Sequence, residues 1–266
     1  MARKARDNRP RSQQIAADIR AKILSRDLPP GSKLPSTPQL GSQFSVPGTT
    51  IQSAVAILKA EGFVEGQMGR GVFVRDQSQQ TITPAEYVIP VGQGQRYNWL
   101  TVAEQRAQRS SIELLGVSEV PASAEVAEAF KLDIGALVIC RSMLLLLDDE
   151  PTELVHNHYP LSIARGTPLQ DRRKIKGGAP ALLEARGHSP GRVEDVIMTR
   201  PPTVDEFETL DLPTEVPVLR TFRITFDQDQ TPIETTTSVK AGHRFKLRYF
   251  MYPDTIRMDA GGRHGP

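Results

Sequence analysis

Residues 35–74 read PSTPQLGSQFSVPGTTIQSAVAILKAEGFVEGQMGRGVFV, and their punctuation decides the first fold. Ser36 is placed to accept from the N3 backbone N–H of a helix, and Gln39 stands three residues on to reach back, a capping box. Leu40 and Phe44 lie four apart on the short helix this predicts, and Ser45-Val46-Pro47-Gly48 ends it. A second helix is expected from about Thr49 to Ala60, with Ile51, Ala54, Val55 and Leu58 as its buried face. Thr49, Thr50, Gln52, Ser53 and Lys59 lie largely elsewhere on it. Gly62 stops this helix. Phe63-Val64-Glu65 and Val72-Phe73-Val74 then alternate around Gly66-Gln67-Met68-Gly69-Arg70-Gly71, a hairpin with a glycine-rich tip carrying one arginine.

Upstream, Ile15, Ile19 and Ile23 recur at i, i+4, i+8, one apolar stripe on a helix. Ser12 is its expected N-cap, and Leu28-Pro29-Pro30-Gly31 stops it. Helices joined by a tight turn and followed by a hairpin make a winged helix-turn-helix. The third helix would then enter the major groove of double-stranded DNA, with the wing tracking a neighbouring groove. Its exposed end is small, polar and uncharged, and a glutamine there can bond adenine N6 and N7 together. Candidate DNA contacts are Ser36, Thr37, Thr49, Thr50, Gln52 and Ser53, with Gly69 and Arg70 at the wing tip. Winged helices also serve as protein-docking modules, so the pattern alone leaves that alternative open.

Charge points the same way. The chain of 266 residues carries a net charge of +2, but residues 1–75 hold 12 Lys+Arg against 5 Asp+Glu, so the remainder is −5. A basic first domain on an acidic remainder suggests a polyanionic partner for the first part only. Arg3, Lys4 and Arg6, with Arg9 and Arg11, form a basic arm over residues 1–11 that would add salt-dependent phosphate contacts. A solvated tail is the alternative for that segment.

At this point the residues resemble the GntR-family DNA-binding domain. The carriers are Gln14-Ile15-Ala16, Ile23-Leu24-Ser25, Leu28-Pro29-Pro30-Gly31-Ser32-Lys33-Leu34-Pro35-Ser36, Phe44-Ser45-Val46, Thr50-Ile51, Ala60-Glu61-Gly62-Phe63-Val64 and Gly69-Arg70-Gly71-Val72-Phe73-Val74. The resemblance covers about residues 12–75 and implies a homodimer reading a short palindromic operator. Pro38, Gly48 and Gln52 depart from it, since the family often has arginine at those three places.

Residues 76–97, rich in Gln, Pro, Gly and Thr, read as a linker with one short extended piece around Tyr87-Val88-Ile89. Beyond it the pattern is α+β, a mostly antiparallel sheet with helices on one side. Ser123 to Phe130 is expected as a helix, Ala136 to Leu147 as a strand, Asp148-Asp149-Glu150-Pro151 as a turn and Thr152 to His158 as the return strand. Ala181 to Arg186 is a short helix and Val193 to Thr199 a strand. Thr203-Val204-Asp205-Glu206 is a capping box starting a helix to Leu210. Val218 to Phe226 and Ile233 to Val239 pair, and Phe245 to Tyr252 closes the set. A weak internal repeat at an offset of about 80 places Phe130 on Leu210, Leu132 on Leu212 and Val138 on Val218. Two helix–strand–turn–strand halves would enclose a groove suited to a small ligand.

This region, roughly residues 95–255, resembles the UTRA ligand-binding domain of HutC-type GntR regulators. The carriers are Gly135-Ala136-Leu137-Val138 with Arg141, Asp149-Glu150-Pro151, Tyr159-Pro160, Pro217-Val218-Leu219-Arg220, Pro232-Ile233-Glu234 and His243-Arg244-Phe245. The resemblance implies a chorismate-lyase-like fold used for sensing, with strand Arg and Glu residues on the effector. Candidate effector contacts are Arg141, Glu153, Tyr159, Glu234 and Arg244. Around Arg141 the family often has several arginines, and near Val155 an acidic residue. Ser142, Met143 and Val155 stand there instead, which argues against a sugar-phosphate effector. An arginine inside an apolar strand needs a partner, and for Arg141 a carboxylate and a ligand are both open. Arg244 could instead anchor the turn before the last strand.

The sequence thus predicts an arm (1–11), a winged helix-turn-helix (12–75), a linker (76–97), an effector-binding and dimerisation domain (98–255) and a tail (256–266). The leading function is a transcription regulator, most simply a repressor, released or retained by a small molecule. A ligand-independent dimeric repressor and a lyase-like enzyme are the alternatives. No nucleophile elbow or phosphate loop is present, so no catalytic residue and no cofactor are expected. His156 and His158 have a metal-compatible spacing but no third ligand, so no metal is expected. Cys140 reads as core. The longest apolar run, Ala136 to Leu147, is broken by Arg141 and too short to span a bilayer. No membrane partner and a cytoplasmic location are therefore expected.

Overall fold

The computed structural model describes residues 7–75, 80–84, 109–175, 177–214 and 216–250, and the chain divides into two units near residue 80. In the first unit, helices α1 (Arg11–Ser25), α2 (Thr37–Phe44) and α3 (Gly48–Ala60) are followed by strands β1 (Val64–Gln67) and β2 (Gly71–Val74). Helix α1 begins at Arg11, after Pro10, so Ser12 lies inside its first turn and is not the cap. The expected box at Ser36 is present: Gln39 Oε1 accepts from the Ser36 backbone N–H at 2.8 Å and from its hydroxyl at 2.9 Å.

Ile15, Ile19 and Ile23 from α1, Leu40 from α2, and Ile51, Ala54 and Leu58 from α3 converge on Phe63 and Val74 in one buried cluster. Val55 is only partly buried at its edge. Gly62 ends α3 at φ +73°, a conformation that favours glycine. One link was not foreseen. Arg20 clamps Glu61 bidentately, at 2.8 and 2.6 Å, and ties α1 to the end of α3. The wing gains a third extended segment, because Leu34 donates to Val72 O and Val74 to Ser32 O, both at 2.8 Å.

The second unit is built on a six-stranded antiparallel sheet. Its elements are β4 (Ser110–Pro121), α4 (Ala124–Phe130), β5 (Leu137–Leu147), β6 (Glu150–Pro160), α5 (Leu161–Ala164), a 3-10 turn (Pro168–Gln170), α6 (Gly178–Glu184), β7 (Pro190–Arg200), α7 (Val204–Thr209), β8 (Val218–Asp227) and β9 (Pro232–Ala241). The strand order β4-β5-β6-β9-β8-β7 is a palindrome of two β-α-β-β halves meeting at β6 and β9. The internal repeat implies the helix–strand–strand part of each half, and the structure adds a leading strand to it. Val138 and Val218 are both fully buried, and Phe130 and Leu210 are buried. Leu132 and Leu212 break the symmetry, at 38% and 5% exposed. Thr203 and Glu206 close their capping box at 3.2 and 2.8 Å.

Helix α4 packs on Val138 and Phe222, while Leu210 and Leu212, at the end of α7, pack on Leu154, Val218 and Val239. The opposite face carries Ile139 and Tyr159 against Ala164, Leu169 and Leu183, so the segment from α5 to α6 covers that side. Helices therefore lie on both faces and not, as expected, on one side, because Ile139 and Tyr159 give the second face an apolar patch that the α5–α6 segment covers. Strand β4 was not anticipated. The turn between β5 and β6 is shorter than expected, only Asp148-Asp149, both at positive φ. Of the expected last strand, Phe245 to Tyr252, the described part to Phe250 does not join the sheet: β10 is Phe245–Leu247 and pairs with β3 (Gln80–Ile82), inside the expected linker, and residues 251 and 252 lie outside the described residues. The extended piece at Tyr87-Val88-Ile89, the tail from 256 on, and Arg3, Lys4 and Arg6 lie outside the described residues.

Candidate nucleic-acid interface and effector face

Burial of Ile51, Ala54 and Leu58 orients α3 and leaves Thr49, Gln52, Ser53, Ala56 and Lys59 exposed along its opposite side. The Ser53 hydroxyl donates to Thr49 O at 3.1 Å, whereas the Gln52 amide has no partner among the described residues. Thr50 is half-buried and less available than the sequence suggested. Ser36 is exposed and Thr37 half-buried, its methyl facing the start of α3. Gly69 and Arg70 occupy the hairpin tip, Gly69 at φ +72° and the Arg70 guanidinium 5.7 Å from the Phe73 ring centre. A shallow concavity of about 600 Å³ opens between the starts of α2 and α3, lined in part by Thr37, Pro38, Val46, Pro47 and Gly48. Thr49, Gln52 and Ser53, with the wing tip, form a surface that can enter a groove and touch base edges.

In the second unit, residues directly opposite on antiparallel strands share a face. Arg141, Asn157, Thr236, Arg223 and Asp195 therefore form one row across five strands. Tyr159 and Glu234 lie one step along it, the phenol donating to Glu234 Oε2 at 2.5 Å, and Thr236 donates to Glu234 Oε1 at 3.0 Å. Burial pushes the Glu234 carboxyl above its ordinary range, against these two donors. The Oδ1 atom of Asn157 is buried without a protein partner among the described residues. Arg223 is held by Asp195 at 2.6 and 2.8 Å, and Tyr249 donates to the same carboxylate.

Arg141 is 4% exposed and has no carboxylate clamp. Its Nη1 donates to Leu169 O at 2.8 Å and Asp171 O at 2.9 Å, and Nη2 to Arg173 O at 2.8 Å. It anchors the loop that covers this face. The predicted contacts divide accordingly. Arg141, Tyr159 and Glu234 are brought together. Glu153 is six residues along β6 from Tyr159, about 20 Å at strand rise, in a buried pair with Lys240 at 2.6 Å. Arg244 is farther still and pairs with Glu150 at 2.5 Å beside its turn. Asn157, Thr236, Arg223 and Asp195 escaped the sequence reading because their association is cross-strand and long-range.

On the reverse face, Cys140 stands opposite His158 and Ser142 opposite His156, and across the next strand pair His158 faces Thr235 and His156 faces Thr237. Cys140 is buried, and burial raises its thiol pKa. No group of three or more His, Cys, Asp and Glu among the described residues is arranged to hold a metal. His158 is neutral in the fold: burial, helped by neighbouring His156, depresses its pKa from 6.5 to about 4. The unfolded chain therefore takes up this proton first, and stability present above pH 6.5 is lost as pH falls towards 4. Thermal unfolding of the wild type should show this loss, approaching about 3 kcal/mol at the low end, and His158→Gln should remove most of it. Equal pH dependence in both proteins would exclude His158 as its source.

Comparison with known proteins supplies the family. The model of bacterial regulatory proteins, gntR family, matches residues 11–74, and the UTRA domain model matches residues 105–246. An uncharacterized HTH-type transcriptional regulator of Streptomyces coelicolor is 28% identical over 265 residues, covering 94% of this chain and 96% of that one. The HTH-type transcriptional repressor PhnF of Mycolicibacterium smegmatis is 24% identical over 84% of this chain and 85% of that one. Its crystal structure superposes with a TM-score of 0.55, covering 88% of this chain and 99% of that one. A crystal structure of a GntR-family transcriptional regulator, 25% identical, gives 0.58 over 92% and 98%. No helix among the described residues is long and apolar enough to cross a membrane.

Proposed function

The chain belongs to the UTRA-bearing GntR regulators, DNA-binding transcription regulators and not enzymes, and from that premise we propose a dimeric repressor whose grip on a palindromic operator responds to a small molecule. The carrying observation is the α3 face of Thr49, Gln52 and Ser53, outward and unobstructed on a winged scaffold. Two copies would set these helices in successive major grooves, about 34 Å apart. Arg70 and the arm residues Arg3, Lys4 and Arg6 are assigned to phosphates. Edge strand β7 leaves Val196, Ile197 and Met198 exposed, apolar surface that a second copy would cover. Repression follows the name of the relative PhnF.

The effector is assigned to the sheet face of Tyr159, Glu234, Asn157 and Thr236. Arg141 is committed to carbonyls and Arg223 to Asp195, so this row favours a polar, uncharged ligand over an anionic one. The same commitments favour a second reading, a C-terminal domain that dimerises without any ligand. Selecting duplexes from a random pool tests the first step. Gln52→Ala or Thr49→Ala should then reduce discrimination between the selected and a scrambled duplex by about 5- to 100-fold, the worth of a direct base contact. Unchanged preference would remove α3 from the reading surface. A thermal-shift screen of polar metabolites separates the two readings. A true effector at 100 times its dissociation constant adds about 2.7 kcal/mol, and a screen without any shift favours the ligand-free form.

A further inference from the structure

We propose that the helix-turn-helix reads A·T pairs, with Gln52 on adenine and thymine methyls seated in the concavity between α2 and α3. This rests on the DNA-reading role proposed above. Between Lys33 and Lys59 the chain contains no Asp, Glu, Lys or Arg. That stretch holds all of α2, the turn and nearly all of α3. Guanine is most often picked out in the major groove by Arg or Lys on O6 and N7, and this surface has neither to insert.

The surrounding cations sit at its borders. Lys59 lies where α3 meets the wing, its Nζ 3.2 Å from where a Gly66 Cβ would stand. The Lys33 side chain packs over Gly71, and Arg70 is at the hairpin tip. Border positions suit phosphates, which fix register but carry no sequence information.

What the inserted surface retains is one amide, a few hydroxyls and apolar carbon. A glutamine amide offers an acceptor and donors that match adenine N6 and N7. Beside it lies the concavity of about 600 Å³, lined by Pro38, Val46, Pro47 and the Thr37 methyl together with Ser42 and Ser45. Glycine at residue 48 keeps one edge of it open: a Cβ there would stand 3.3 Å from Thr37 Cγ2. The 5-methyl of thymine is the apolar group a base pair shows in the major groove. An uncharged cup with Pro38, Val46 and Pro47 in its wall, next to an adenine reader, offers that methyl an apolar contact.

The test uses the full-length protein. Duplexes selected from a random pool should carry A·T pairs under α3 in both half-sites. Replacing thymidine by deoxyuridine there should weaken binding about fourfold per methyl, the worth of one buried methylene. Gln52→Arg should move the preference at its position from A·T to G·C. Selection of G·C pairs under α3, or equal affinity for the deoxyuridine duplex, would overturn the assignment while the regulator stands. Equal retention of every sequence, or of none, would overturn the DNA-reading role together with it.

Discussion

Arg141→Met should destabilise the C-terminal unit by about 3 kcal/mol or more, although methionine nearly fills the same space. The side chain is 4% exposed in strand β5, and its two Nη groups hold the 3-10 turn and the loop after it. Methionine keeps the packing but withdraws the donors from Leu169, Asp171 and Arg173. A buried acceptor left without a donor costs about 1–3 kcal/mol. Leu169 is fully buried, whereas Asp171 and Arg173 reach water and lose less. Lysine should recover only part, since one ammonium cannot span three carbonyls as a planar fork does. Denaturant unfolding gives the magnitude, and faster amide exchange across residues 168–173 gives the place. If the variant keeps full stability and loses only a ligand response, Arg141 is an effector contact after all.

Arg141 also shows where sequence reasoning stops. That it needed a partner followed from one charge in an apolar strand. That the partners are carbonyls some thirty residues on did not, because no pattern encodes a loop folding back over a strand. Period-two alternation assigns residues to a face but gives no position along it. Glu153 and Tyr159 share parity, so both were candidates, yet one lies about 20 Å from the other. Strand β4 went unseen for a related reason. Its alternation slips at Leu114-Leu115-Gly116, where the ladder with β5 shifts register, and a slip of one residue inverts the phase. Glu150-Pro151 looked like turn because proline is rare inside strands. Here Pro151 sits where the β5–β6 register shifts, a site that tolerates it. The helix-turn-helix was legible almost to the residue, because its signals are local: a capping box, an apolar stripe, a glycine at a helix end. Its error at Ser12 is one of boundary only.

Glu153 and Lys240 provide the sharper test of what holds the sheet. They face each other across β6 and β9 with Lys240 Nζ 2.6 Å from Glu153 Oε1, and the Ser238 hydroxyl donates to the same oxygen at 2.5 Å. Their residues are 8% and 7% exposed. Removing one partner strands the other charge, so Lys240→Met should cost about 3–5 kcal/mol. Removing both should not: Glu153→Met with Lys240→Met exchanges two desolvated charges for two apolar chains of similar length, a change often neutral or better. The cycle should therefore show the double variant more stable than Lys240→Met, with a coupling of several kcal/mol. It also addresses function. If Glu153 is structural, the double variant keeps the operator affinity and ligand response of the wild type. A double variant that is stable but deaf to every effector would return Glu153 to the site. One no more stable than Lys240→Met would mean that Ser238, left without its acceptor, or the fit of the new side chains, outweighs relief of the lone carboxylate.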